Sequence, residues 1–222
     1  MITIFFTRHS KSTRNLYDGN GEPILNNVTE MSFRDTALCP DGIEKVIQKR
    51  EKLKEELGVI DAILTSPLKR CVQTTLLTYQ DVKDKSVYPI YVMSLLMEYS
   101  SGPDSTGVPM SQLCSDPDIF SYRHFHSLNF EYLIEGYQSK NFSKNELIDI
   151  GIEWCALDYR INTKRTKWFF EFIKKHFMDR RIHVISHGLF IHSVIGQIID
   201  NYDTVKIIYN TETEKIKFYK IC

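Results

Sequence analysis

The stretch Ile2-Thr3-Ile4-Phe5-Phe6-Thr7 limits what this chain can fold into more than any other. A β-branched and aromatic run of this kind reads as a strand buried on both faces, as found inside parallel sheets. It stops abruptly at Arg8-His9, and the small polar residues that follow cannot carry the strand further into a core. In open α/β sheets ligands bind at the carboxyl ends of strands. A guanidinium and an imidazole therefore stand side by side where a site is usually built.

At 222 residues the chain suits one domain with a sizeable core, or one domain carrying an inserted subdomain. Lys and Arg total 28, as do Asp and Glu, so no overall positive field favours a nucleic-acid polymer. A local basic pocket for a small phosphorylated ligand needs no such field. No apolar run is long enough for a transmembrane helix, and the N-terminus lacks the pattern of a signal peptide. Cysteines at 39, 71, 114, 155 and 222 form no Cys-x-x-Cys pair, which suits a reducing compartment and argues against a disulfide framework or a zinc cluster. The expected location is the cytoplasm.

Taken in order, residues 16–34 are rich in turn formers and read as a long loop. A helix is expected from Asp41, with Asp41 as cap and Glu44 reaching back, and with Ile43, Val46, Ile47, Leu53 and Leu57 at helical spacing up to Gly58. Val59–Leu64 reads as a second strand. Ser66 before Pro67 signals a helix start, and Leu68, Cys71, Val72, Thr75, Leu76 and Tyr79 mark its buried face. Arg70, in the first turn of that helix, can reach back over a helix end that already favours anions. Val87–Val92 reads as a shorter strand leading to Leu95-Leu96-Met97-Glu98. Residues 99–141 lose periodicity and read as loops and short helices over the pocket, where Arg123, His124, His126 and Lys140 are candidates to meet a second charged group on a substrate. Ser143–Glu146 is a capping box, and a helical pattern resumes through Trp168, Phe169, Phe172, Ile173 and Phe177. Arg181–Ser186 is a strand ending at His187-Gly188, Leu189–Ile199 is apolar enough for a buried helix, and residues 205–209 and 215–219 suit a closing hairpin.

Arg8-His9-Ser10-Lys11-Ser12-Thr13-Arg14-Asn15 resembles the Arg-His-Gly-x-Ser-x-x-Asn signature of the histidine phosphatase superfamily, also called phosphoglycerate mutase-like. Asp35-x-x-Leu38 through Gly42, Ser66-Pro67-Leu68-x-Arg70, Leu96-x-Glu98 and Ser186-His187-Gly188 resemble its further segments, in its order. The resemblance implies an α/β fold, a three-layer α/β/α sandwich with a mostly parallel sheet and an antiparallel C-terminal edge. It also implies one domain over 1–222, with 99–160 as a substrate-covering insertion. His9 would be the nucleophile and Glu98 the proton donor, while Arg8, Ser12, Asn15, Arg70 and His187 would hold the phosphate. Neither metal nor cofactor is implied, and the partner would be a small phosphorylated substrate, with no nucleic acid and no membrane; a homodimer is left open.

Ser10 and Lys11 depart from the signature: a Gly is usual at the first position and an acid or amide at the second. Ser10 must either adopt an ordinary backbone angle or carry strain of about 1–3 kcal/mol. Phosphomonoester hydrolysis is the expected reaction. Phosphoglycerate mutase-type transfer is disfavoured because residues 13–35 lack the Gly-Trp that such mutases carry. A weakened phosphate-binding or regulatory module is the other alternative, and Ser10 and Lys11 are what suggest it.

Overall fold

The computed structural model describes residues 1–16, 34–82, 88–99, 103–133 and 164–221. In chain order its regular elements are β1 (Ile2–Arg8), α1 (Pro40–Leu57), β2 (Ala62–Thr65), α2 (Lys69–Thr78), β3 (Ile90–Val92), α3 (Met110–Ser115), α4 (Pro117–Phe120), β4 (Leu128–Asn129), α5 (Arg165–His176), β5 (Arg181–Ser186), α6 (Gly188–Ile195), β6 (Thr204–Tyr209) and β7 (Ile216–Lys220). The strands form one sheet in the order β4-β3-β2-β5-β1-β6-β7. Pairing is parallel from β4 to β1 and antiparallel from β1 to β6 and β6 to β7. The expected α/β architecture, mostly parallel with an antiparallel C-terminal edge, is the one found.

Strand alternation sends the apolar side chains of β1 into both helical layers. Ile2, Ile4 and Phe6 pack with Ile182, Val184, Phe169, Phe172 and Phe190, the layer of α5 and α6. Phe5 points the other way, into Ile63, Ile185, Val46, Leu53 and Leu57, the layer of α1 and α2. Each of these side chains contributes about 1.5–3 kcal/mol by burial, and the two layers enclose the central strands on both sides.

This arrangement also places the site. β1 and β5 are parallel neighbours, yet β1 leads toward the α1 layer while β5 leads directly into α6 on the opposite face. Connections that diverge to opposite faces leave a crevice at the carboxyl ends of the strands.

Several boundaries differ from the sequence expectation. α1 begins at Pro40 with Cys39 as its cap, because proline already fits the first helical position; Asp41 instead pairs with Lys11 at 3.1 Å. Ile47 is exposed. β2 begins at Ala62, since Gly58 ends α1 at φ 60° and leaves Val59 in solvent. α2 begins at Lys69 rather than at Pro67; the Ser66 hydroxyl accepts the Leu68 N–H at 3.3 Å and also meets His187 Nε2 at 2.8 Å. α6 stops at Ile195, where Gly196 adopts φ 74°, so the apolar run to Ile199 is helical only in its first part and Ile198 is exposed. Within the segment read as loops and short helices, Asp116 caps α4 by accepting from the Asp118 N–H at 2.9 Å. β4 had no sequence signal.

The bulk of the 16–34 loop, Val87, Lys140, the Ser143–Glu146 capping box, Cys155 and Cys222 lie outside the described residues. Among the described residues no helix is long and apolar enough to cross a membrane.

Candidate active site

His9 follows the last residue of β1 and extends the ladder by one bond, its N–H donating to the Ser186 carbonyl at 2.8 Å. The segment after α6 grips the same backbone. Asn201 Nδ2 donates to the His9 carbonyl at 3.0 Å, the Tyr202 N–H donates to the Arg8 carbonyl at 3.0 Å, and the Arg8 N–H donates to the Asp203 carbonyl at 3.1 Å. Tyr202 does this at φ 60°, a conformation that costs a non-glycine residue about 1 kcal/mol or more. The Arg8 guanidinium is aimed by its Nη1 bond to the Ile199 carbonyl, 2.9 Å, and packs over the backbone of Gly188.

Ser10 settles without strain, for it is not among the residues with positive φ. Its N–H donates to Thr74 Oγ1 at 3.0 Å and its hydroxyl to the Gly42 carbonyl at 2.7 Å, so the side chain joins the β1 loop to α1. Its carbonyl receives His9 Nδ1 at 2.6 Å. A carbonyl only accepts, so Nδ1 carries the ring hydrogen and Nε2 keeps its lone pair. Arg70 Nε donates to that Nε2 at 3.2 Å. Burial, then the Arg70 charge, holds the His9 pKa well below the usual imidazole value, and the ring is neutral.

His187 lies behind His9, ring centroids 5.1 Å apart and edge-on. It is fully buried, with Nε2 2.8 Å from Ser66 Oγ and 3.3 Å from Cys71 Sγ. His187, expected on the phosphate, stands directly behind His9 with its Nε2 bonded to Ser66, just outside the residues that line the cavity. Burial keeps its pKa well below the usual value too. Burial likewise pushes the Cys71 thiol far above its ordinary range.

A cavity of about 150 Å³ opens in front of His9. Arg8, His9, Ser12, Asn15, Arg70 and Glu98 line it, bringing together all the sequence-predicted site residues except His187. Ser12 and Asn15 brace each other, the Asn15 amide oxygen accepting from the Ser12 N–H and hydroxyl at 3.1 and 2.9 Å. Glu98 follows β3 through a turn whose Leu96 carbonyl is fixed by the Ser186 hydroxyl at 2.7 Å. One carboxylate oxygen, Oε1, accepts from the Tyr99 N–H at 2.9 Å and the Leu189 N–H at 3.2 Å. With Oε1 held by two donors, a proton on this carboxyl resides on Oε2. Burial raises the Glu98 pKa, partly offset by Arg70, the Tyr99 bond and Arg8.

Sequence reasoning missed Arg14, Asp104, Ser105 and Leu189, which complete the lining. Arg14 had a signal, a cation one residue before Asn15 on the same short turn. Asp104 and Ser105 belong to a segment without periodicity, fastened over the pocket when Arg70 Nη1 donates to the Asp104 carbonyl and Arg34 Nε to the Gly107 carbonyl, 3.0 Å. Arg14 lies 3.8 Å from the Asp104 carboxylate. Arg123 and His126 are exposed, and neither they nor the buried His124 line the cavity, whereas Arg14 and Asp104 do. Among the described residues no group of His, Cys, Asp and Glu is arranged to hold a metal ion.

Asp35, in the left-handed region at φ 49°, supports Arg70 from behind by accepting from the Lys69 N–H at 2.7 Å. Burial lifts its pKa to about 6, against the Lys69 bond and the Arg70 charge. A carboxyl whose folded pKa is raised contributes stability at low pH that is lost as pH rises through about 6. Asp35→Asn, which removes the charge but keeps an acceptor, should therefore gain Tm relative to wild type on going from pH 4.5 to 7.5. A difference between the two melting curves that does not change with pH would count against a titrating Asp35.

The model of the histidine phosphatase superfamily (branch 1) matches residues 4–132, well over half of the chain. The chain belongs to this superfamily. Comparison with curated proteins gives no match. Solved structures of similar fold include a phosphoglycerate mutase from Bacillus anthracis str. Sterne, 18% identical, covering 99% of this chain and 92% of that one with a TM-score of 0.57. The ecdysone phosphate phosphatase of Bombix mori is 10% identical over 98% and 92%, TM-score 0.55. The α-ribazole phosphatase of Shigella flexneri is 16% identical over 99% and 95%, TM-score 0.53. Such identities speak for the fold alone; superfamily membership makes phosphatase or phosphotransfer chemistry the frame for the site.

Proposed function

We propose that this protein is a phosphomonoesterase that hydrolyses a small phosphorylated compound through a phosphohistidine on His9. The observation that carries the reading is the His9 ring. Its hydrogen is tied to the Ser10 carbonyl, and its bare Nε2 sits beside Arg70 in a pocket shared with Arg8 and Glu98.

Substrate binding moves the Arg70 hydrogen bond from Nε2 to the phosphoryl oxygens, which frees the lone pair to attack. Arg8 and Arg70 match those oxygens as bidentate donors, and Asn15 Nδ2 and Ser12 add neutral ones, the Ser12 hydroxyl turning from the Asn15 amide oxygen to do so. Nε2 forms a bond to phosphorus as the ester P–O bond breaks, and the leaving oxygen takes the proton from Glu98 Oε2. The Ser10 carbonyl stabilises the positive ring so formed. Glu98, now a carboxylate, takes a proton from water as the water oxygen attacks phosphorus and the N–P bond breaks. Inorganic phosphate leaves and Glu98 is protonated again. His187, neutral behind the ring, holds His9 in place.

The test combines turnover with trapping. Wild-type protein is expected to hydrolyse an aryl phosphate and members of a panel of phosphorylated metabolites, and to yield an acid-labile phosphoryl group on the peptide carrying His9. His9→Ala should abolish both. Phosphate binding without turnover would mark a binding module instead, and transfer of the phosphoryl group to an added alcohol rather than water would mark a mutase.

A further inference from the structure

Arg165 does not line the pocket, yet it is the largest fully buried side chain among the described residues. We propose that Arg165 is the positioning residue for Glu98: stacked on Tyr99, it fixes the N–H that holds Glu98 Oε1 and keeps a permanent positive charge behind that carboxyl. The inference rests on the reading of Glu98 as the acid and base of the reaction.

The geometry is a clamp. As the first residue of α5, Arg165 places its guanidinium carbon 4.0 Å from the Tyr99 ring centre and 5.8 Å from that of Phe190. The Tyr99 and Phe190 rings are themselves stacked, 6.0 Å apart and 11° from parallel. The Tyr99 hydroxyl bonds to Thr166 Oγ1 at 3.0 Å, and that hydroxyl bonds to Ser193 Oγ on α6 at 2.7 Å. Tyr99 is thereby held at its ring face, its hydroxyl and its backbone, and its backbone N–H is one of the two donors on Glu98 Oε1. Burying a guanidinium is expensive, and a stacked aromatic partner is among the few settings that favour arginine over other side chains.

Charge gives the clamp a second purpose. The groups facing Glu98 are Arg8 from β1, His9 just beyond it, Arg70 and the un-ionised Cys71 from α2, and Arg165 from α5. Arg8 and Arg70 reach the pocket and are taken up by the phosphoryl oxygens once a substrate is bound. Arg165 is screened from the pocket, so its charge acts on Glu98 in both half-reactions. It favours the carboxylate left when Oε2 gives its proton to the leaving oxygen, and that carboxylate then accepts the proton of water. Burial and the neighbouring cations oppose each other at Glu98, and Arg165 is one of the cations.

The test is the pH profile of kcat/KM on an alkyl phosphate. Arg165→Met keeps bulk over Tyr99 and removes the charge; its alkaline limb should move to higher pH, and Arg165→Lys should bring the limb back toward wild type. A folded Arg165→Met with the wild-type limb overturns the proposal. If Arg165→Met does not fold, Tyr99→Leu gives an independent reading, because it keeps the charge and removes the platform. Alkyl phosphate turnover should then fall about tenfold while aryl phosphate turnover stays within about twofold, with KM unchanged; equal losses on both overturn it. Wild-type protein inactive on every phosphomonoester would sink the phosphatase reading itself, whereas an active enzyme with unmoved limbs sinks only the role of Arg165.

Discussion

Glu98→Gln should slow hydrolysis of an alkyl phosphate by about 10²–10⁴-fold, the usual worth of general acid–base catalysis, while the first half-reaction of an aryl phosphate with a good leaving group is far less affected. The reason is the proton. An alkoxide is a poor leaving group and needs the proton of Oε2 as the P–O bond breaks, whereas a stabilised aryloxide departs without it. The substituted amide would keep an oxygen for the Tyr99 and Leu189 N–H groups, so the geometry at Oε1 is retained and only the proton is lost. The pH dependence carries the same signature. Glu98 must be protonated to act as acid, so kcat/KM falls as pH rises through its raised pKa. His9 must be neutral to attack, and burial with the Arg70 charge favours that form by holding its pKa well below the usual imidazole value. Glu98→Gln should remove the alkaline limb. Stopped-flow bursts with matched alkyl and aryl phosphates measure this directly. Equal loss on both substrates, or an alkaline limb that survives the substitution, would remove Glu98 from the proton transfer.

The parts of this site that were legible in the sequence are those where the chain punctuates itself locally. β1 and β5 are apolar runs stopped by Arg8-His9 and by His187-Gly188, and hydrophobic periodicity made α2 plain, though the helix is buried nearly all round rather than on one face. What was not legible depends on partners far along the chain. Ser66 reads as a local turn former by its place before Pro67, and it does accept the Leu68 N–H, but its hydroxyl also meets a buried imidazole 121 positions away. The grip of Ile199, Asn201, Tyr202 and Asp203 on Arg8 and His9 uses mainly backbone atoms that any sequence supplies, so no residue pattern announces it. His187 illustrates both sides: its place at a strand end was readable, but the direction of its ring was set by Ser66 and Cys71, which a linear reading cannot weigh. Ser10 is a further case. Measured against the glycine of the signature it looks like a defect, whereas in the fold its hydroxyl bonds the Gly42 carbonyl and its backbone angle is ordinary.

That last contact leads to the largest structural effect expected from one added methyl group. A Cβ on Gly42 would stand 1.9 Å from the Lys11 carbonyl oxygen and 2.9 Å from its carbon, both backbone atoms that cannot swing aside. The same Lys11 oxygen accepts the Cys39 N–H at 3.1 Å, so α1 and the loop after His9 are joined where the methyl would intrude. Relief requires the helix start and residues 10–12 to separate by an ångström or so, which breaks the Ser10–Gly42 bond and moves the carbonyl that orients His9 Nδ1. Overpacking of this severity costs about 3 kcal/mol or more, or roughly 6–12 °C in Tm for a chain of this size, and displacing the nucleophile by about 1 Å lowers kcat/KM some 10²-fold. Gly196→Ala is the matched control. That glycine has φ 74° but nothing within 4 Å of the added carbon, so it should lose only the left-handed penalty of about 1 kcal/mol and keep its activity. Thermal melts and phosphatase assays on the two alanine variants separate steric intrusion from backbone conformation. A Gly42→Ala protein no less stable and no less active than Gly196→Ala would mean that α1 is not what holds His9 in register.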